Sequence, residues 1–246
     1  MLYIFKKKYL IDYLGGFTDI HNHLLPGIDD GVNNSKHGIY IIKQLAEYGI
    51  ENHIFTPHVM GDIYPNSSAK IENTLKNFKT QLNKQKLDNI HIKAAAEYMI
   101  DPYFDELIEK KDILTVHNNF VLIELSYFQA PINLENSVYK IINSGYQPIL
   151  AHPERYIFFH TNFSKYKLLK DMGCYFQINA LSLSNYYGAS VKKTALNLME
   201  NKMIDFLGTD IHHSHHSRKL VNITLSKKTV ELLLPVIRNN KEVFAF

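Results

Sequence analysis

Short apolar, β-forming runs alternate with amphipathic stretches along all 246 residues of the chain. The runs cover residues 17–20, 51–56, 90–96, 120–123, 147–151, 174–179 and 203–208. Helical periodicity or capping residues mark the stretches between them: 35–48, a long helix opening at Ser67 or Ser68, 101–110, 134–144, 163–172 and 189–201, with 226–240 closing the chain and Pro235 as a point where it can kink. Such alternation argues for parallel βαβ units. No linker, repeat or low-complexity tract divides the chain, so one α/β barrel of seven strands is the economical expectation.

Six of the seven runs finish in side chains able to bind a metal. These are His21 with His23, then His58, Glu97, Glu124, His152, and Asp210 with His212. In a βα barrel all strand C-termini converge on one rim, where such folds place their chemistry. Any one of these residues alone is more often a loop side chain than a ligand. Together they are hard to obtain by accident. The densest stretch is FTDIHNHLLPGIDDG, from Phe17 to Gly31, in which His21 and His23 share a face if strand geometry persists and Asn22 turns away. Asp30 brings the set to five histidines and four carboxylates. One ion takes about four to six ligands, so two or three ions are implied. Imidazole and carboxylate without thiolate suit manganese, iron or zinc.

Clustered divalent ions point to hydrolysis of a phosphate ester or a similar bond. Of 27 basic residues only Arg155, Arg218 and Arg238 are arginine. Arg155 follows His152 by three and Arg218 follows His212 by six, so both are candidates for a planar guanidinium clamp on a phosphoryl group. His213, His215 and His216 read as an exposed, partly charged loop.

Composition excludes other classes. A formal charge of +3 with no basic arm beyond Lys6 to Lys8 gives no footprint for nucleic acid, and the aromatics do not cluster with basic residues as a nuclease groove requires. Cys174 is the single cysteine, so no internal disulfide is available; it lies in a predicted strand and reads as core. A cysteine-based tyrosine phosphatase needs arginine six residues beyond its nucleophile, where this chain has Ala180, and no Gly-rich phosphate loop is present. No stretch reaches the ~18 apolar residues of a membrane span, and the first sixteen residues lack the order of a signal peptide. A cytoplasmic protein is expected, with residues 1–16 a loosely packed lead-in and 17–246 one domain.

The segments DIHNHLLPGIDDG, TPH, AAEY, LIELS, ILAHPERY, MGCYFQIN and LGTDIHH, in this order over roughly residues 17–220, resemble the PHP-domain (polymerase and histidinol phosphatase) protein-tyrosine phosphatases of bacterial capsule and exopolysaccharide regulation. The resemblance implies a distorted seven-stranded TIM-like βα barrel and three metal ions, usually manganese. It also implies hydrolysis of phosphotyrosine on the tail of a tyrosine autokinase. Position by position it assigns His21, His23, Asp30, His58, Glu97, Glu124, His152, Asp210 and His212 to metal and Arg155 to the substrate phosphate. Arg218 matches less cleanly, because its loop is about one residue longer, and Asp29 falls to a supporting or turn-forming role. The competing readings are a small-molecule phosphomonoesterase of the histidinol phosphatase kind, a nuclease, and a non-catalytic kinase-docking scaffold.

Overall fold

The computed structural model describes residues 7–246. In chain order its elements are β1 (Lys8–Tyr9), β2 (Thr18–Asp19), α1 (Ser35–Ala46), β3 (Asn52–Phe55), β4 (His58–Val59), α2 (Ser68–Asn83), β5 (His91–Ala94), β6 (Glu97–Met99), α3 (Pro102–Lys110), β7 (Phe120–Glu124), α4 (Leu134–Asn143), β8 (Gln147–Ala151), α5 (Phe163–Asp171), β9 (Tyr175–Asn179), α6 (Ala189–Glu200), β10 (Phe206–Gly208), α7 (Ser214–Leu220), β11 (Thr224–Leu225) and α8 (Lys227–Val243). This is a mixed α/β fold with parallel sheets. Six strands pair in the order β10-β9-β8-β7-β6-β4 and three in the order β2-β3-β5, all parallel, while β1 and β11 form a separate antiparallel pair.

Two of the expected strands are interrupted. The run at 51–56 gives β3, breaks, and resumes beyond Pro57 as β4; the run at 90–96 gives β5 and then β6. Proline lacks the N–H that a strand interior donates, so the ladder shifts there. The two chain paths stay bonded across the break, through Ala95 N–H to Phe55 O at 2.8 Å and Glu97 N–H to Pro57 O at 3.0 Å. The first and last paths meet through backbone bonds from Asp210 to His21 O, 2.7 Å, and from His23 to Ile211 O, 2.9 Å.

Alternation along the strands sorts the apolar side chains into two clusters. Ile20, Ile54, Ala95, Leu122, Ile149, Ala151 and Phe206 form one, closed by Phe244 from the end of α8. Their neighbours, such as Phe55, Ala96, Ile123, Leu150, Phe176 and Leu207, join the larger cluster that includes the helices' apolar faces. Asn240 on α8 ties β2 to β10: its side-chain amide donates to Thr18 O and Leu207 O, and its oxygen accepts from Leu207 N–H at 2.9 Å. Pro235 lies within α8 without ending it. Asn34, not Ser35, caps α1, its side chain accepting the His37 N–H at 3.0 Å.

Residues 8–14 of the expected loose lead-in are packed: β1 pairs with β11, and Leu10 and Leu14 are fully buried. Residues 1–6, with Lys6, lie outside the described residues. Among the described residues, no helix is long and apolar enough to cross a membrane. Cys174 is buried beside β9, as expected of a core residue.

Candidate metal centre

Along β7, two-residue spacing carries one face from apolar Leu122 to ionisable Glu124. Glu97 opens β6 two residues after buried Ala95, and Asp210 lies two residues beyond the end of β10. His152 and Asp210 hold left-handed backbones, φ 35° and 52°, an uncommon conformation for such residues and one that clusters at functional sites. Strand β2 ends at Asp19, yet His21 and His23 still converge, because the chain beyond it is held by the bonds to Ile211 and Asp210. Close approach demands glycine at two points here: a Cβ on Gly208 would lie 2.6 Å from His21 Cβ and 2.7 Å from the Gln177 amide, and one on Gly31 would lie 2.6 Å from His23 Cβ.

The structure brings all nine expected residues together. Four overlapping sets have donor atoms within 4.8 Å of one another: His23, Asp30, His58 and His212; His21, His152 and Asp210; His21, His23 and Glu97; and His58, Glu97 and Glu124. Glu97 is the hub, with an oxygen 3.2 Å from His21, 3.4 Å from His23, 3.1 Å from His58 and 3.0 Å from His152. Asp30 is the exposed member, 3.5 Å from both His58 and His212.

The imidazoles are aimed from behind. His21 Nδ1 is 2.6 Å from Gln177 Oε1, His23 Nδ1 is 2.7 Å from Asp29 Oδ2, and His212 Nδ1 is 3.0 Å from its neighbour's carbonyl, Asp210 O. A ring N–H directed at each oxygen leaves Nε2 as a lone pair facing the cluster. Asp29 also accepts the backbone N–H groups of Gly31 and His58, which fixes the loop that carries Asp30. Asn22 points away, donating to Ile54 O. Gln177 and Asn179, whose amide donates to Asp210 Oδ2 at 2.6 Å, come from β9, the one predicted strand with no ligand at its end. The sequence offers only their even spacing from Tyr175 as a signal.

Burial and mutual charge set the protonation of the cluster. Burial would raise the Glu97 carboxyl, but His21, His152 and His23 hold it well below the usual range. Asp210 is likewise buried and held low by His21, His212 and His23, with Arg155 adding to the effect. Burial and the Glu97 charge push Glu124 up. Burial lowers His152 to about 4, and burial with the neighbouring His23 lowers His212 to about 3. Glu97 Oε2 and Glu124 Oε1 crowd one buried nitrogen, His58 Nδ1, at 3.1 and 2.9 Å without well-formed hydrogen bonds, and the Nε2 atoms of His21 and His23 face each other at 3.4 Å. Desolvated lone pairs turned toward one space are costly unless a cation lies among them. The donor set therefore fits divalent metal.

Arg155 follows His152 on a 3₁₀ turn and reaches Asp210 Oδ2 with Nη1 at 2.9 Å. Its guanidinium lies between the rings of Tyr127 and Tyr187, 4.5 and 4.2 Å from their centroids. All three line a cavity of about 670 Å³ whose floor is the cluster. Arg218 does not line it. It is exposed on α7 beside Gln44 and Tyr48, so the expected second arginine stands away from the cavity. The expected histidine loop is instead helix α7, in which His213 and His215 are exposed while His216 is buried and accepts the His212 N–H at 3.2 Å.

Fold and site together define an α/β protein built around side chains suited to divalent metal. Residues 17–231 match the family described as "Capsular polysaccharide synthesis, CpsB/CapC", and the chain belongs to that family. It is 30% identical to the tyrosine-protein phosphatase YwqE of Bacillus subtilis over 196 residues, 79% of this chain and 77% of YwqE. It is 28% identical to the putative tyrosine-protein phosphatase CapC of Staphylococcus aureus over 92% of this chain and 90% of CapC. A crystal structure from work on YwqE of Bacillus subtilis and CpsB of Streptococcus pneumoniae, described as metal-dependent tyrosine phosphatases, superposes with a TM-score of 0.80 at 26% identity, covering 92% of this chain and 94% of that one.

Proposed function

We propose that this chain is a metal-dependent protein-tyrosine phosphatase acting on the phosphotyrosine tail of a bacterial tyrosine autokinase, in the control of capsular or exopolysaccharide synthesis. Its relatives' names and the family's description support that reading. The observation that carries it is the meeting of nine imidazoles and carboxylates beneath one cavity that a half-buried guanidinium also lines. We read the strand paths as a distorted seven-stranded PHP-type βα barrel within a domain spanning 17–246, and the nine residues as ligands of manganese, three ions by their number, with iron and zinc as the other candidates. A cytoplasmic site of action goes with such a substrate.

Bound divalent cations would supply Lewis acidity and an activated water. The chain's own residues do the rest. Asp210, Tyr127 and Tyr187 fix the plane of Arg155, leaving its remaining N–H donors for the phosphoryl oxygens. Tyr64, Tyr186 and Phe128 give the cavity aromatic walls that suit a phenyl ring. The tyrosyl leaving group has a pKa of about 10, so strong general acid assistance is not required.

The test is a substrate panel on protein stripped of metal and reloaded with manganese: phosphotyrosine peptide, phosphoserine peptide, histidinol phosphate and single-stranded DNA. Manganese-dependent release from phosphotyrosine is expected. Preference for histidinol phosphate would favour a small-molecule phosphomonoesterase, DNA cleavage a nuclease, and tight kinase binding without turnover a scaffold. Arg155→Ala should lower turnover about a hundredfold with metal content unchanged, and Arg218→Ala should change turnover by less than about twofold.

A further inference from the structure

We propose that the hollow next to the metal cavity is a docking groove for the substrate polypeptide that continues past the phosphotyrosine, and that it receives an apolar side chain. This rests on the phosphotyrosine reading above. The loop leaving β7 separates two hollows of similar size. Ser126 and Phe128 line both the metal cavity and its neighbour of about 600 Å³, so a chain whose tyrosine enters the first has the second within reach.

Half of the groove's lining is apolar, and that half includes two nearly bare side chains. Phe128 is 96% and Ile132 94% exposed, and Ile100 and Pro102 face them across the hollow. Single exposed apolar residues are ordinary, but two nearly bare ones on a turn bordering a reactive cavity mark a contact surface. The turn is ordered, with Phe128 N–H on Ser126 Oγ at 3.3 Å and Leu134 N–H on Pro131 O at 3.2 Å. The groove's two carboxylates are already engaged. Asp101 accepts the backbone N–H groups of Phe104 and Gly61, both at 2.8 Å, and Asp105 pairs with Lys140 at 3.3 Å. With both acids partnered within the fold, the exposed Phe128 and Ile132 side chains are what the groove offers to an incoming chain. A cavity of about 670 Å³ already accommodates a small ligand, so a free phosphate monoester has no use for the second hollow, whereas a protein substrate does.

The experiment compares three substrates on the full chain reloaded with manganese: a phosphotyrosine peptide with leucines at the second to fourth positions on either side, its counterpart with serines there, and p-nitrophenyl phosphate. The parent should favour the leucine peptide by about tenfold in kcat/KM, the discrimination expected of one apolar side chain in a pocket. Ile132→Ser, and separately Ser137→Trp, which fills the groove from α4, should bring that ratio close to one. In both variants turnover of p-nitrophenyl phosphate should stay within about twofold of the parent. Equal use of the two peptides by the parent, or an unchanged ratio in both variants, overturns the groove while leaving the phosphatase reading intact. Failure of the parent to hydrolyse any of the three overturns both. If Ile132→Ser abolishes self-association in sedimentation while the peptide ratio stays at the parent's value, the surface joins copies of this chain and the proposal is wrong.

Discussion

Leu122 and Glu124 stand two residues apart on one face of β7, yet they belong to opposite kinds of structure. Leu122 joins Ile20, Ile54, Ile149, Phe206 and Phe244 in an apolar plug. Glu124 is buried to the same degree but turns a carboxylate toward His58 at 2.9 Å and toward the rest of the ligand cluster. The same contrast separates Ala95 from Glu97 and Phe206 from Asp210. At the base, burial itself is the stabilising term, and size and shape decide the fit. At the rim, burial opposes stability, and the side chains are held in place by backing partners such as Gln177, Asp29 and Asn179. The plug resists change in volume; the rim resists change in chemistry.

Glu97→Gln tests that contrast most severely. It keeps the volume and removes the charge at the hub, so turnover of phosphotyrosine should fall about a thousandfold and metal content should drop. The urea midpoint of the metal-free variant should fall below that of the metal-free parent, since the imidazoles that hold Glu97 ionised lose their buried counter-charge. A midpoint equal to the parent's would show a rim that tolerates a change in chemistry and break the contrast. Phe244→Ala is the converse change. It should cost about 3–5 kcal/mol in urea unfolding while metal content and turnover per folded molecule stay at the parent's values. Loss of metal in that variant would mean that the plug positions the ligands after all. Gln177→Leu sharpens the role of backing residues, because it frees the His21 ring without touching its outward nitrogen. Metal affinity, read by equilibrium dialysis, should weaken about tenfold.

The rim was legible because its chemistry is unusual: histidine and carboxylate at strand ends have few other reasons to recur in register. The residues behind it were not, because Gln177 and Asn179 are neutral amides that look like ordinary strand polars until His21 and Asp210 are placed against them. Counting along the chain does not show where Arg218 stands, since helix α7 turns its side chain outward and a loop would leave that open. The helix itself was hidden because serine and histidine carry little helical preference, and it forms through burial of His216, Ser217 and Leu220. The lead-in held a usable sign in Leu10 and Leu14, four apart, which both turn out fully buried. Strand existence followed from apolar runs, but strand breaks did not; Pro57 was the available warning.

The most direct test of the central claim is a count of bound metal. Chelator-stripped protein is dialysed against manganese, washed, and measured by elemental analysis beside Glu97→Gln. The account predicts more than one ion per chain in the parent and a clear reduction in the variant. One ion or none in the parent, or equal content in the two, would contradict it.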